Sequence, residues 1–187
     1  MRRGKVRHEF TAAGPNELWL ADITERWTAK GRLYVCAIKD VYSNRIVGYS
    51  IDSRMKSRLA VAALDHAVAR RGLLANCVLH TDRGSHFRSR NSSMPSTVTT
   101  WPARWAAFGA AGDNAAMESF FSLLQKSALD RRTWATRAQI RIAIVRWIER
   151  TCHRRRRQAG LGRLTPVEYE LIMTTTATQR PNPTVTS

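Results

Sequence analysis

Three acidic residues, far apart in the chain, are the residues best suited to chemistry. Asp82 lies in the segment H-T-D-R-G-S-H-F and Glu118 in G-D-N-A-A-M-E-S-F-F, with 35 residues between them, and Asp22 lies upstream in W-L-A-D-I-T. Carboxylate oxygens are ligands that Mg²⁺ takes in proteins, together with waters and phosphate oxygens. Our hypothesis is that the three acids meet, bind divalent metal and act on DNA phosphodiesters.

Taken one at a time, the acids have simpler interpretations. Asp22 interrupts an apolar strand, where a carboxylate is costly unless it is paired or bound to metal, and a structural aspartate that caps a turn is the alternative. Glu118 falls in a first helical turn, where the helix dipole favours an acid on an ordinary surface. Asp40 and Asp52 each end a strand beside a turn, and we predict that both are structural.

The charge of the chain points to a polyanionic partner. Its 187 residues are enough for one domain with a core. Lys and Arg number 31 against 14 Asp and Glu, which gives a net charge of +17 and a pI near 11.3. Such an excess is typical of proteins that bind DNA or RNA. A ribosomal or merely solubilising basic surface is the alternative.

The three cysteines, Cys36, Cys77 and Cys152, are widely spaced, and they predict neither a disulfide framework nor a zinc site. We expect buried free thiols in a reducing cytoplasm. No apolar run approaches the roughly 18 residues of a membrane span, and the basic N-terminus leads into no secretory signal. We therefore expect no membrane partner.

Three strands are predicted to position Asp22, over residues 18–24, 33–40 and 46–52. The first is apolar on both faces, so we expect it to be central in its sheet. The short links between the three predict an antiparallel meander.

A crossover is predicted to position Asp82. A helix over 57–71, ended by Gly72, leads into a short strand at 77–80. A strand, a helix and a second strand favour parallel pairing. Asp82 would then lie just past the carboxyl end of a strand, where open α/β sheets bind ligands.

Amphipathic helices are predicted over 115–129 and 136–153, with a short final helix at 167–171. In the first, Asp113 or Asn114 is a candidate N-cap. Its apolar stripe consists of Met117, Phe121, Leu124 and Ala128, and its polar face carries Glu118, Ser122 and Gln125. In the second, the predicted apolar face consists of Ile140, Ile144, Val145, Trp147, Ile148 and Cys152.

Arginines are concentrated in the C-terminal third. Between Arg131 and Arg163 there are eleven arginines and one acid, Glu149. A charge run is usually a solvated face, but this one has almost no counter-charge, which favours phosphate contact.

Five segments carry a resemblance to a known family: P-N-E-L-W-L-A-D-I-T, I-K-D-V-Y-S-N-R-I-V-G-Y-S-I-D, H-T-D-R-G-S-H-F, G-D-N-A-A-M-E-S-F-F and R-R-R-R-Q-A-G-L-G-R-L-T-P-V-E-Y-E. They resemble bacterial insertion-sequence transposases of the OrfB type, whose catalytic core is similar to retroviral integrase. The resemblance covers about residues 10–172, apart from 91–108. It implies an α/β, RNase H-like fold with a mixed five-stranded sheet flanked by helices.

The resemblance also implies the site. Its acidic triad maps onto Asp22, Asp82 and Glu118, which then have one joint explanation. Mg²⁺ or Mn²⁺ is the expected cofactor, with two ions when DNA is bound, Asp22 bridging both. The expected partners are the element ends and target DNA, further copies of the chain and an upstream helix-turn-helix subunit, in the bacterial nucleoid. The expected DNA contacts are Arg83, His86, Asn114, Ser122, Gln125, Lys126, Arg146, Arg150, Arg154, Arg155, Arg156 and Arg157; for His86, a hydrogen-bonding bystander is the alternative.

Domain organisation follows from the same comparison. We expect a flexible basic arm at 1–16, the catalytic core at 17–172 and a disordered tail at 173–187. Because only the arm precedes the first strand, we expect a truncated transposase, with a catalytically inactive DNA-binding fragment as the alternative. Residues 91–108 depart from the family pattern, and an out-of-frame translation of codons 100–106 allows M-A-G-S-M-G. Our hypothesis is that residues 91–108 are a frame-shifted copy of the helix and strand that the family has at this place, and that the frame shift disrupts the fold.

Overall fold

Four strands form one mixed sheet, with the Asp22 strand inside it. The computed structural model describes residues 11–29, 31–72, 74, 77–81 and 115–178. The strands are β1 (Leu18–Thr28), β2 (Gly31–Asp40), β3 (Ile46–Asp52) and β4 (Val78–Thr81), in the spatial order β3-β2-β1-β4. β2 pairs antiparallel with both β1 and β3, and β4 pairs parallel with β1. The meander, the interior first strand and the parallel crossover are confirmed.

β1 is longer than predicted because its polar half also pairs with β2. Arg26 lies opposite Leu33, and Thr28 lies opposite Gly31 at the hairpin end. The Thr28 hydroxyl donates to the Gly31 carbonyl at 2.7 Å, which closes the turn. The sequence did not indicate this half because residues 24–28, T-E-R-W-T, carry polar residues on both faces and show no apolar alternation.

Several predictions fall outside the described residues. They concern the fifth strand, the disruption at 91–108, most of the arm and the end of the tail, together with the site residues Asp82, Arg83, His86 and Asn114. They stay predictions.

One face of the sheet packs on helix α1 (Ser57–Arg71), which ends at Gly72 as predicted. Trp19, Ala21 and Ile23 of β1 point into this core. The helix approaches β3 closely at Gly48, where a Cβ would lie 2.2 Å from the Ala63 carbonyl oxygen. Only glycine allows this contact without moving the helix.

The other face packs on two α-helices, each of which continues as a π-helix at its C-terminal end. α2 (Ala115–Leu124) continues as a π-helix over Gln125–Leu129, and α3 (Arg137–Arg146) continues as one over Trp147–Cys152. The predicted helices over 115–129 and 136–153 are therefore confirmed, and the π-helical hydrogen bonding of their last turns is a feature that the sequence did not indicate. Trp147, Ile148 and Cys152 of the second π-helix are all buried.

The predicted apolar faces of these helices are largely confirmed. Met117, Phe121 and Leu124 are buried, as is Phe120, which the predicted stripe omitted. Thr136 caps α3 by accepting a hydrogen bond from the Gln139 amide at 3.2 Å. The residues of α3 and its π-helix that the core buries are Ile140, Ile144, Trp147, Ile148 and Cys152, whereas Val145 is half-buried.

The last helix, α4 (Pro166–Thr178), is longer than the predicted 167–171, so residues 173–178 are helical rather than disordered. Two threonine hydroxyls donate to carbonyls four residues back, Thr175 to Leu171 and Thr176 to Ile172, both at 2.8 Å. These bonds give the polar run partners within the helix.

Glu170 anchors α4 to the rest of the domain. Its carboxylate accepts hydrogen bonds from the Ser43 hydroxyl and the Arg45 guanidinium, each at 2.6 Å, and from Arg71. Arg71 also lies 3.7 Å from the fully buried Asp40. The charges at the end of β2, the end of α1 and α4 thus form one network.

The predicted structural acids and free thiols are confirmed. Asp40 accepts the backbone amides of Asn16 and Tyr42, and Asp52 accepts two hydrogen bonds from Arg58. All three cysteines are buried and free.

Candidate catalytic and DNA-binding site

Asp22 lies on the α2 side of the sheet, near the middle of β1. Side chains alternate along a strand, and Leu20, two residues earlier, packs in the same core as α2. The Asp22 carboxylate is half-buried, and its Oδ1 accepts the Ile23 amide at 2.7 Å. Burial, and after it the Asp22 charge, raises the pKa of the Cys36 thiol.

The parallel pairing of β1 and β4 ends at the residues that directly precede Asp22 and Asp82 in the chain. Leu18 lies beside Val78, and the register runs on to Ala21 beside Thr81. The residues that follow these last two in the chain are Asp22 and Asp82. Asp82 itself is outside the described part of the structure.

Glu118 lies in the first turn of α2 and is exposed. The opposite side of the helix is held in the core by Met117, Phe121 and Leu124. Within the described ranges, no hydrogen bond or ion pair engages the Glu118 side chain. Its environment therefore leaves the carboxylate available to a ligand from solvent.

A side-chain hydrogen bond between Arg26 and Gln125 fixes α2 against β1. Gln125 follows Glu118 by seven residues, which is two helical turns and roughly 10 Å along the axis. Arg26 follows Asp22 by four residues, which is roughly 13 Å along the strand on the same face. The two described acids therefore lie on the same side of the sheet, on elements that this bond joins.

The donors suit a hard cation. Asp22 and Glu118 offer carboxylate oxygens, as Mg²⁺ requires. No group of three or more His, Cys, Asp and Glu side chains is close enough to hold an ion among the residues that the structure describes, which exclude Asp82. Two of the three predicted ligands can thus be judged, and their chemistry fits the ion.

The predicted DNA contacts have different environments. Gln125 is half-buried and its amide oxygen accepts the Arg26 bond. Arg157 reaches the Glu168 carboxylate at 3.3 Å and the Arg163 carbonyl at 3.2 Å. The exposed predicted contacts are Ser122, Lys126, Arg146, Arg150, Arg154, Arg155, Arg156 and Arg157.

The arginines belong to two separate surfaces. Arg146 and Arg150 line a groove on α3 together with Arg141 and Glu149. Arg156 instead lines a cavity beside α2, together with Lys39. The second surface adjoins the helix that carries Glu118, and Arg146 also lines a cavity with Ala128 of the π-helix that continues α2.

Sequence reasoning missed Arg26 and Lys39. Arg26 follows Asp22 at an even spacing, which puts both on one face of β1 and was a usable signal. Lys39 lies opposite Leu20 in the antiparallel register, and no feature of the sequence alone fixes that register.

Among the residues described, no helix is both long enough and apolar enough to cross a membrane.

A mixed sheet with one acid on an interior strand, and a second acid on a helix that covers it, is similar to the RNase H-like fold of integrase core domains. Residues 12–143 match the family described as Integrase core domain. The chain is 33% identical over 165 residues to the transposase InsF for insertion sequence IS3A of Escherichia coli, a match that covers 88% of this chain and 57% of that protein. It is 30% identical over 169 residues to the transposase for IS904 of Lactococcus lactis, which covers 90% and 67%.

Solved structures show the same fold. The catalytic core domain of HTLV-2 integrase, in a trimeric form in complex with magnesium, superposes with a TM-score of 0.62 at 18% identity and covers 86% of this chain and 99% of that one. The simian T-cell lymphotropic virus intasome in complex with the PP2A regulatory subunit B56 gamma gives a TM-score of 0.55 at 16% identity, covering 97% and 61%. The chain belongs to the integrase core domain family, among the insertion-sequence transposases. It spans about 57% of the length of the E. coli relative.

Proposed function

We propose that this chain is the catalytic domain of a transposase that cuts the 3′ end of a DNA element and joins it to a target strand. Asp22, Asp82 and Glu118 hold the divalent ions, and basic residues hold the DNA. The observation that carries the proposal is the parallel register that ends with Ala21 beside Thr81, because the residue that follows each of these two in the chain is a predicted ligand.

The reaction has two displacements at phosphorus. In the first, water attacks a phosphodiester at the element end, and a 3′-OH leaves. In the second, that 3′-OH attacks a target phosphodiester in line, so a P–O bond to the element end forms as the P–O bond to the 3′-oxygen of the target strand breaks, and a target 3′-OH leaves. Bound Mg²⁺ or Mn²⁺, as two ions, supplies activation of the attacking oxygen and charge stabilisation of the leaving one.

The protein's own part is positioning and charge. The half-buried Asp22 has one carboxylate oxygen directed by the Ile23 amide, which preorients the group before any ion binds. Glu118 is held over the sheet by the buried side of α2 and by the Arg26–Gln125 bond. Exposed arginines neutralise phosphates without distinguishing sequence.

The partners follow from the proposed reaction. A complex that holds two element ends and a target needs more than one active site, so we propose a homo-oligomer on DNA. We also propose that a helix-turn-helix subunit, encoded upstream, recognises the element ends.

The test is a cleavage assay with single-residue variants. A duplex from the element end, labelled on its 3′ strand, is incubated with Mg²⁺ or Mn²⁺. We expect shortened and joined products from the wild-type chain, and none after chelation or in Asp22→Asn, Asp82→Asn or Glu118→Gln. Asp130→Asn is the matched control, because it removes an exposed acid at the end of the π-helix that follows α2.

The alternative is a catalytically inactive DNA-binding fragment, and the departure of residues 91–108 from the family pattern favours it. Salt-sensitive DNA binding with no product under any metal condition would establish this alternative. Metal-dependent products that persist in Asp22→Asn and Asp82→Asn would instead refute the assignment of the site.

A further inference from the structure

A small polar cavity lies beside the proposed catalytic site. Its volume is about 140 Å³, and it is formed by the end of β2, the β2–β3 turn, the first turns of α2 and the segment after α3. Its floor includes Phe120 and Cys152. The polar side chains that line it are Lys39, Asn44, Ser119, Arg156 and Gln158.

The polar lining suits an oxyanion. Lys39 and Arg156 are cations, two amides and a hydroxyl can donate hydrogen bonds, and no acid is among the described residues that line the cavity. Burial, with Arg156 adding to it, lowers the pKa of Lys39 to about 8. A bound anion would offset the cost of holding these two positive groups together.

The position of the cavity relates it to the acids. Ala37 lies directly opposite Asp22, and Lys39 is two residues further along β2 on the same face. Diagonal neighbours of this kind have Cβ atoms roughly 7–8 Å apart. On the other wall, Ser119 directly follows Glu118 in α2.

We propose that this cavity binds one phosphate of the DNA backbone, close to the phosphodiester that the acids act on. This inference rests on the proposed function, which supplies the DNA. Lys39 and Arg156 bind the phosphate oxygens by charge, and Asn44, Ser119 and Gln158 complete the hydrogen bonds. Because the contact is to a phosphate, it positions the strand and does not select its sequence.

The test compares Lys39→Gln and Arg156→Gln with Lys56→Gln, which removes an exposed charge next to α1, away from the cavity. Affinity for a short DNA duplex is measured across a series of salt concentrations. Loss of one phosphate contact is expected to reduce the salt slope by about 1. We expect this reduction in both cavity variants and not in Lys56→Gln, and thermal unfolding identifies any variant that fails to fold.

A second measurement locates the contact on DNA. Duplexes with a single neutral methylphosphonate linkage are scanned, position by position, for loss of affinity. At one position near the cleaved bond, we expect the neutral linkage to weaken binding by the wild type and by Lys56→Gln. At the same position, Lys39→Gln and Arg156→Gln should bind the modified and the unmodified duplex equally. Inorganic phosphate is titrated without DNA as a separate arm, and tight binding there with no sensitive linkage would indicate a site for a free anion.

Equal salt slopes for all variants, with no linkage whose effect depends on Lys39, would overturn the inference. If cleavage still requires Asp22 in that case, the proposed function stands and only the phosphate site fails. If wild type binds no DNA, both proposals fail.

Discussion

Replacement of Glu170 by glutamine tests whether the charge network at α4 holds the domain together. Only 8% of Glu170 is exposed. Its carboxylate accepts hydrogen bonds from Ser43, Arg45 and Arg71. Glu170→Gln keeps the shape and one acceptor, but it removes the negative charge between two guanidinium groups.

The expected cost follows from this burial. Removing one partner of a buried ion pair costs about 3–5 kcal/mol, because the other charge stays buried. The amide can still accept from Ser43, and Arg71 retains Asp40 at 3.7 Å, so we expect about 3 kcal/mol. For a chain of this length that lowers Tm by roughly 6–12 °C.

The stability that Glu170 contributes should be lost at low pH. Burial by itself raises the pKa of Glu170, but hydrogen bonds from Arg71, Ser43 and Arg45 outweigh it and lower that pKa below the ordinary 4.5. A carboxyl whose folded pKa is lowered stabilises the fold above its unfolded pKa. This contribution is lost as the pH falls below 4.5 through the folded value, and Glu170→Gln should lack it.

The assay is urea unfolding followed by circular dichroism, at neutral pH and at a series of lower pH values. Glu25→Gln is the matched control, because Glu25 makes an exposed pair with Arg32 at 3.6 Å, worth about 0–1 kcal/mol. If Glu170→Gln loses no more stability than Glu25→Gln, the network does not hold α4 in place and the reasoning is wrong.

Three further predictions use other parts of the structure. Gly48→Ala should lower the free energy of unfolding by about 1–3 kcal/mol, because the added Cβ would be forced against α1. Gly160→Ala is the control and should lower it far less in the same urea assay, because no atom lies within 4 Å of the added Cβ. Hydrogen bonding from His153, with help from Tyr49 and Arg70, lowers the pKa of Glu149 to about 2. The ionised carboxylate should therefore stabilise the fold above pH 4.5, and this contribution should disappear as the pH falls toward 2. Glu149→Gln should flatten that part of the plot of unfolding free energy against pH, and an unchanged plot would contradict the prediction. Because burial raises the pKa of all three cysteine thiols, alkylation under native conditions should follow the unfolding rate, and fast labelling of the folded chain would refute this.

The sheet was predictable because its signals are local. An apolar run on both faces identified β1 as interior, and short turns identified the meander. The crossover through α1 predicted a parallel orientation for β4, and the structure shows that its partner is β1. The chain direction of each strand thus follows from link lengths.

The helix ends were not predictable in the same way. The helices continue as π-helices over Gln125–Leu129 and Trp147–Cys152, where their apolar residues pack in the core with α2, α3 and the sheet. A helical period in sequence does not distinguish an i→i−5 bond from an i→i−4 bond. The extension of α4 to Thr178 was also missed, because a run of threonines is a weak helix former and its composition is typical of disorder.

For the candidate site, the sequence indicated the three acids, whose roles stay predictions, but not the residues around them. Asp22 stood out because a carboxylate interrupts an apolar strand, and the resemblance gave it a role. Arg26 and Lys39 carried no such contrast, since basic residues are common throughout this chain. Their importance depends on the partner side chain and on strand register, which only the folded structure supplies.

One sheet face serves both the core and the proposed chemistry, and its composition changes along its length. On β2, Leu33 and Val35 are buried against the helices, whereas Lys39 lies at the polar end. Between them, the small Ala37 faces Asp22 across the ladder, and a small residue there leaves room beside the carboxylate. Asp22 and Lys39 are both half-buried, and Leu20, which lies opposite Lys39, packs in the core beside them. The acid proposed to bind metal and the cation proposed to bind phosphate therefore lie on one face of the sheet, so under this proposal a single DNA strand can contact both.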